Sequence, residues 1–359
     1  MKIESEQHLS DVLRAQATPV WLKGGGTRGA AGRGEVLDLS GLAGVTLYEP
    51  ETLTLVAQAG TPIAVLQSLL AAQGQHLPFE PPDWRGLLNT SGSPSLGGVV
   101  ATNLSGPRRF QAGAVRDFCL GVRFVDGTGM RIRNGGRVMK NVTGYDLVKL
   151  MAGSWGRLGV LTEVALKVLP TPVAVATLVI PGLLPSVAVG RMALALGSPY
   201  DVSGAARLPD GRVLIRVEGF EQSVAYRAGR LAELLRAESW AGDDPWAGVR
   251  DVAAFHGRAG DVWRFSATPS DAPAIAARLG DDILLDWGGG LIWALLPEGT
   301  DARALAAPYR GHAMLVRAAA KTRTGLARFE PEAPSVAALT AGLRAKFDPK
   351  GILNPGLGN

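Results

Sequence analysis

The sequence predicts an α+β protein of two domains, and three observations carry that prediction. The chain is 359 residues long, more than one ordinary domain needs and enough to bury substantial cores. Its first half is crowded with short strands and lacks a regular strand–helix–strand alternation, whereas from about Val173 short strands alternate with alanine-rich helices. Between the two textures lies Pro170-Thr171-Pro172, a linker candidate. The expected division is a first domain over 1–172, a second α+β domain over 173–330, and a C-terminal helix and tail over 331–359.

Each element follows from local pattern. Ser5 can cap a helix whose apolar positions Leu9, Val12 and Leu13 share one face. Pro19 ends it, and Val20-Trp21-Leu22 reads as a strand feeding a glycine run. Further strands are expected over 36–39, 44–48 and 53–57. Thr61 as cap and Pro62 in the first turn open a helix with Val65, Leu66, Leu69 and Leu70 as its buried stripe, stopped by Gly74. Residues 78–94 form a long loop rich in proline and glycine, of the kind that is usually functional when ordered. A hairpin is expected from 115–125 and 130–133 around Asp126-Gly127-Thr128-Gly129, and another strand over 158–168. In the second half the expected strand–helix pairs are 173–180 with 186–196, 212–217 with 222–236, and 262–267 with 272–279. More strands fall at 283–286, 291–295 and 312–316, without a clear sequence repeat. Short strands with helices on one side suggest a ferredoxin-like antiparallel sheet, single or doubled. A last helix over 334–346 delivers the tail.

Composition excludes several function classes. Hydrophobic residues make up 47% and charged ones 19%, the balance of a folded globular protein. The net charge is only +5, and the arginines are scattered without interleaved aromatics, which argues against nucleic-acid binding. Cys119 is the only cysteine, so neither a disulfide framework nor a multi-cysteine metal or iron–sulfur site can form within the chain. It lies in an apolar run and is expected to be a buried structural thiol. His8, His76, His256 and His312 are not spaced as a ligand pair, and no metal site is expected. The first residues lack an apolar signal region, and the charge-free stretch 173–190 is broken by Pro181, Gly182 and Pro185. These features suggest a cytoplasmic chain.

Four segments carry chemistry. Gly24, Gly26 and Gly29 in Lys23-Gly24-Gly25-Gly26-Thr27-Arg28-Gly29 satisfy G-x-G-x-x-G, but a Rossmann turn needs a helix next and here a strand follows. Successive glycines can still turn several N–H groups inward as an anion nest, with Lys23 or Arg28 adding charge. Ser95-Leu96-Gly97-Gly98 running to Ala101-Thr102-Asn103-Leu104-Ser105-Gly106 combines glycines that admit a flat ring closely with polar side chains. Lys140-Asn141-Val142-Thr143-Gly144-Tyr145-Asp146 packs many donors and acceptors into one short loop. Lys350-Gly351-Ile352-Leu353-Asn354-Pro355-Gly356 closes the chain. Together they suggest a cofactor cradle assembled from distant loops, without by themselves distinguishing one nucleotide cofactor from another.

These segments, together with the run from Met139 to Leu150 and Gly156-Arg157-Leu158-Gly159-Val160-Leu161-Thr162-Glu163, resemble the PCMH-type FAD-binding domain of the vanillyl-alcohol-oxidase flavoprotein family. Within it the chain is similar to FAD-binding subunits of bacterial glycolate oxidases. The likeness covers about residues 1–172 and the last 20 or so. It implies a two-subdomain FAD domain, a cap or substrate-side second domain, and a tail returning to the FAD domain. It further implies that Gly24, Gly25, Gly26, Thr27, Arg28 and Gly29 hold the FAD pyrophosphate, and that Pro82, Asp83, Gly97, Gly98, Thr102 and Asn103 lie along the flavin and ribityl side. Gly159 and Val160 would meet the cofactor through their backbone, and Asn354 would approach the ring. Thr27 stands where covalent members often carry histidine, so FAD is expected to be non-covalent.

The implied activity is oxidation of a 2-hydroxy acid, which needs a cation for the substrate carboxylate and a base for its hydroxyl proton, with hydride passing to flavin. Arg108, Arg109, Tyr145, His256, His312 and Arg317 are the candidates, and no motif assigns any of them a role. Three readings stay open here. The chain is the FAD-binding subunit of a glycolate oxidase complex beside a catalytic FAD subunit and an iron–sulfur subunit, a self-sufficient FAD-dependent oxidoreductase, or a flavin-free structural subunit. The first would allow the chain to be held at the inner membrane through its partners.

Overall fold

The computed structural model describes residues 1–29, 32, 34–137 and 144–357. Helix α1, Glu6–Ala15, starts where its cap predicts: the Ser5 hydroxyl accepts the N–H of His8 at 3.0 Å, and Leu9 and Leu13 are buried. Strands β1 (Val20–Lys23) and β2 (Glu35–Asp38) then pair in parallel across the glycine loop. The C-terminal tail extends this ribbon: Val20 donates to the Ile352 carbonyl at 2.8 Å and accepts from the Asn354 N–H at 3.0 Å.

Strands β3 (Val45–Glu49), β4 (Thr54–Gln58), β5 (Cys119–Val125), β6 (Arg131–Gly135) and β7 (Val160–Lys167) form an antiparallel sheet in the order β3-β4-β7-β5-β6. Helices α2 (Ile63–Ala71) and α3 (Leu96–Thr102) share its core, in which Leu55, Leu66, Leu70, Val99, Val100, Phe124 and Val164 are buried. Cys119 is buried and free.

Several local expectations are corrected. The Thr61 hydroxyl exchanges hydrogen bonds with Gly44 rather than capping α2, and Pro62 takes the cap position. Val65 is half exposed, because the buried stripe runs through Ile63, Leu66 and Leu70. Val115–Phe118 is a helical turn, with the Asp117 carboxylate accepting the Ala114 N–H, so the hairpin strand begins only at Cys119. The 78–94 loop contains a further turn of helix, Arg85–Leu88.

The second half resolves the choice between a single and a doubled ferredoxin-like sheet. Its first unit runs β8 (Ala174–Ile180), α4 (Pro185–Leu196), β9 (Val202–Arg207), β10 (Val213–Gly219), α5 (Glu221–Leu235) and β11 (Glu238–Ser239). The second runs β12 (Asp261–Ala267), α6 (Ala272–Leu279), β13 (Ile283–Asp286), β14 (Leu291–Leu296), α7 (Ala302–Ala306) and β15 (Gly311–Arg317). The eight strands lie in the order β11-β8-β10-β9-β13-β14-β12-β15. Each half is therefore a βαββαβ unit in spatial order 4-1-3-2 or its reverse, and the two join edge to edge where Arg207 faces Leu285. Strand β9 has no counterpart among the expected elements: Val-Ser-Gly-Ala-Ala-Arg shows no apolar alternation, yet every residue of it is buried. Helix α8, Pro334–Phe347, follows with no buried residue of its own. No helix among the described residues is long and apolar enough to cross a membrane.

Candidate cofactor site

The glycine loop after β1, the start of α3, the 155–161 segment and the tail converge on a cavity of about 420 Å³. The loop is shaped by close approach. A Cβ on Gly25 would stand 1.6 Å from the Ser93 carbonyl oxygen and one on Gly24 would stand 2.5 Å from Ser95 Oγ, while Gly26 sits at φ +70°. Its carbonyls face outward, that of Thr27 accepting from Thr90 and that of Arg28 from Arg328. Among the described residues the N–H groups of Gly24 to Gly29 have no acceptor, which is the arrangement an anion nest requires.

Eleven of the expected residues line this cavity: Gly24, Gly25, Gly26, Thr27, Arg28, Gly97, Gly98, Thr102, Gly159, Val160 and Asn354. Gly97 lies against Ala59, where a Cβ would come within 2.8 Å of the alanine methyl, so the helix start can press onto β4 only as glycine. Gly159 is likewise held against the Phe124 ring. The Thr102 hydroxyl is already spent on the Gly98 carbonyl at 2.7 Å. Four expected residues stand outside the lining. Gly29 packs on Leu88, and the Pro82 carbonyl accepts from Arg28 Nη1 at 3.2 Å. The Asp83 carboxylate is clamped by Arg85, and Asn103 caps the end of α3 with its side chain accepting the Arg116 N–H. Residues 140–143 of the Lys140–Asp146 segment lie outside the described residues, and Tyr145 is exposed.

The tail does more than cover the cavity. The Asn354 side chain accepts the Leu22 N–H at 2.8 Å and donates to the Trp155 carbonyl at 2.9 Å. Trp155, which no sequence pattern singled out, lines the cavity in a left-handed backbone conformation, φ +56°. Its N–H bonds to the Ala101 carbonyl at 2.8 Å. Upstream, the buried Asp348 carboxylate accepts the N–H groups of Ile352 and Leu353.

The lining charges among the described residues are Lys23 and Arg28, and no histidine, tyrosine or carboxylate joins them. The six candidates for acid–base or carboxylate-binding work are placed elsewhere. Arg108 is ion-paired to Glu218, and Arg109 stacks on Trp287. His256 Nε2 lies 2.9 Å from the Asp251 carbonyl, and Arg317 donates to the carbonyls of Leu87, Phe255 and Arg258. His312 is the second residue of the edge strand β15 and is exposed.

Comparison with known proteins agrees with this cradle. Residues 1–135 match the FAD binding domain family. The glycolate oxidase subunit GlcE of Escherichia coli (strain K12) is 38% identical over 344 residues, 94% of this chain and 92% of that one. The glycolate oxidase subunit GlcD of Bacillus subtilis (strain 168) is 33% identical over 172 residues, 48% of this chain and 34% of that one. Among solved structures, alkyldihydroxyacetonephosphate synthase shares the fold with a TM-score of 0.69 at 16% identity, covering 99% of this chain and 76% of that one. The cofactor is FAD, and the chain belongs to the FAD-binding flavoprotein family that includes the glycolate oxidase subunit GlcE.

Proposed function

We propose that this chain is the FAD-binding subunit of a glycolate oxidase assembly that oxidises glycolate to glyoxylate, working beside a catalytic FAD subunit and an iron–sulfur subunit. The observation that carries the reading is the end-to-end similarity to GlcE, which spans the doubled second domain as well as the FAD domain. Residues 1–172 would be the FAD-binding domain, 173–330 its cap, and 331–359 the segment that closes the cradle. The assembly would be cytoplasmic or held at the inner membrane by its partners.

FAD, held without a covalent bond, would supply hydride and electron acceptance. The chain's own residues would do the rest. The N–H groups from Gly24 to Gly29, which have no acceptor among the described residues, and the charge of Lys23 suit the pyrophosphate, and the glycines at 97, 98 and 159 let the cofactor meet backbone directly. Asn354 would keep Trp155 and β1 in register around it.

The test is to purify the full chain alone and with partner subunits, record flavin absorbance, and add glycolate anaerobically. The expected result is stoichiometric FAD in the isolated chain and bleaching by glycolate only in the assembly. Bleaching in the isolated chain would instead identify a self-sufficient oxidoreductase, and failure to take up FAD would end the cofactor reading.

A further inference from the structure

Helix α8 is built unlike the other long helices of the chain. Among the described helices of eight residues or more, it alone buries none of its residues. Yet its sequence is apolar on two opposite faces. Val336, Leu339 and Leu343 share one face at i, i+3 and i+7, and alanines at 337, 338, 341 and 345 form the other. Ser335, Thr340, Arg344 and Lys346 lie between the two. A surface helix keeps one apolar stripe for the core and turns a polar face to water, and a helix apolar on both faces belongs in an interior. Here Val336, Leu339 and Leu343 are instead 49%, 71% and 38% exposed. Helix α4 also carries exposed apolar residues, but it buries Ala188, Val189, Met192 and Ala195.

Both ends of α8 are fixed, so its exposure is not that of a fraying tail. Before it, Glu330 donates its N–H to the Ala313 carbonyl of the edge strand β15 at 3.1 Å. After it, the Phe347 carbonyl accepts the Gly127 N–H at 2.8 Å, and the Phe347 ring lies 6.1 Å from that of Phe124 on β5. The helix is a strap about 21 Å long from the second domain to the FAD domain. Its form says what covers it. A second copy of α8 laid alongside would reach one face and leave the other bare, whereas a groove takes in both. The charges of the helix, Arg344 and Lys346, are both positive and both in its last turn, so the complementary groove carries carboxylates at that end.

We propose that α8 docks this chain to a partner subunit, entering an apolar groove whose rim is acidic where it receives Arg344 and Lys346. The inference rests on the chain working within an assembly, as its end-to-end relative GlcE is named a subunit. From Phe347 the chain runs straight into Asp348, whose carboxylate accepts the N–H groups of Ile352 and Leu353, and on to Asn354 at the cavity. A subunit docked on the strap is thereby joined to the segment that closes the cofactor cradle.

The experiment is size-exclusion chromatography and affinity titration of the FAD-loaded full chain with the catalytic FAD subunit and the iron–sulfur subunit. Leu339→Glu should keep the circular dichroism and FAD content of the wild type but bind the partner subunits at least about tenfold more weakly, because it sets a charge in an apolar groove. Lys346→Glu should also weaken binding, and more at low salt than at high. Leu194→Glu, which changes an exposed leucine of α4, should leave assembly unchanged. Amide exchange over 334–347 should slow at least about tenfold when the wild type assembles. Wild-type affinity in Leu339→Glu, or helix amides that exchange no more slowly in the assembly, would overturn the inference and leave the proposed function standing. A dimer of the isolated chain that Leu339→Glu abolishes would overturn it in favour of a second copy. A wild type that joins neither subunit defeats this inference and the proposed assembly together.

Discussion

Asn354 ties three stretches of chain to one cavity wall through a single residue. Its amide serves the Leu22 N–H and the Trp155 carbonyl, and its own N–H serves Val20. A tryptophan held at φ +56° persists only where its surroundings over-determine it, and here Ala101 and Asn354 do so. Asn354→Ala would leave two buried backbone groups unpaired, at about 1–3 kcal/mol each. It should lower the stability of the chain by about 3 kcal/mol in urea denaturation and weaken FAD binding at least about tenfold, since 1.4 kcal/mol of that loss at the cavity suffices. Gly25 makes the complementary case. A methyl group there meets the Ser93 carbonyl at 1.6 Å, a backbone atom that cannot swing aside. Gly25→Ala should therefore abolish flavin absorbance in the purified protein while far-ultraviolet circular dichroism stays close to wild type.

At the scale of elements, α1 and the tail stabilise one another. The last carbonyls of a helix have no partner within it, and Lys350 supplies one, its Nζ reaching the carbonyls of Leu13, Arg14 and Gln16 at 3.1, 2.9 and 3.0 Å. A cation at a helix C-terminus is worth about 0.3–1 kcal/mol, so Lys350→Met should cost about that much in urea denaturation. Hydrogen exchange should rise first over the tail and the end of α1. Nothing in the sequence marks Lys350 for this, because the contact joins residues more than 330 apart. What pattern does reveal is the set of elements with their own signal: the Ser5 cap, the apolar strand runs of both sheets, the glycine loop that leads into a strand. Strand β9 escapes because Gly204, Ala205 and Ala206 are too small to show a period, although burial on both faces is what makes them small. The site is legible in the same uneven way. Glycines at 24–26, 97, 98 and 159 are visible because close approach demands them. That the side chains of Asp83 and Thr102 are spent on Arg85 and on the Gly98 carbonyl is a property of the fold and not of the motif.

Across the whole molecule, the FAD-side loops and the doubled sheet meet through charge as much as through apolar packing. Glu80 accepts from Arg216 of β10 at 2.8 Å and from the Arg108 N–H at 2.7 Å, Arg108 pairs with Glu218, and Trp287 Nε1 donates to the Gly106 carbonyl at 3.0 Å. Asp286 lies at the end of β13, 2% exposed, with the Trp287 N–H as the hydrogen-bond donor to its carboxyl. Burial pushes that carboxyl up to about 7; the Trp287 N–H, Arg216 and Arg264 oppose the shift, and Glu80 adds to it. The folded protein thus keeps a proton on Asp286 that the unfolded chain releases near pH 4. Its contribution is fully present below the unfolded value and is lost as pH rises through the folded one, so stability should fall between about pH 4 and 7, by at most about 1.4 kcal/mol per pH unit. Asp286→Asn keeps the acceptor for Trp287 and removes the titration. Urea denaturation from about pH 5 to 8 should show the variant losing less stability than wild type as pH rises, and surpassing it above pH 7. A wild type and variant with parallel profiles would mean that Asp286 is ionised throughout, with Arg216 and Arg264 outweighing its burial.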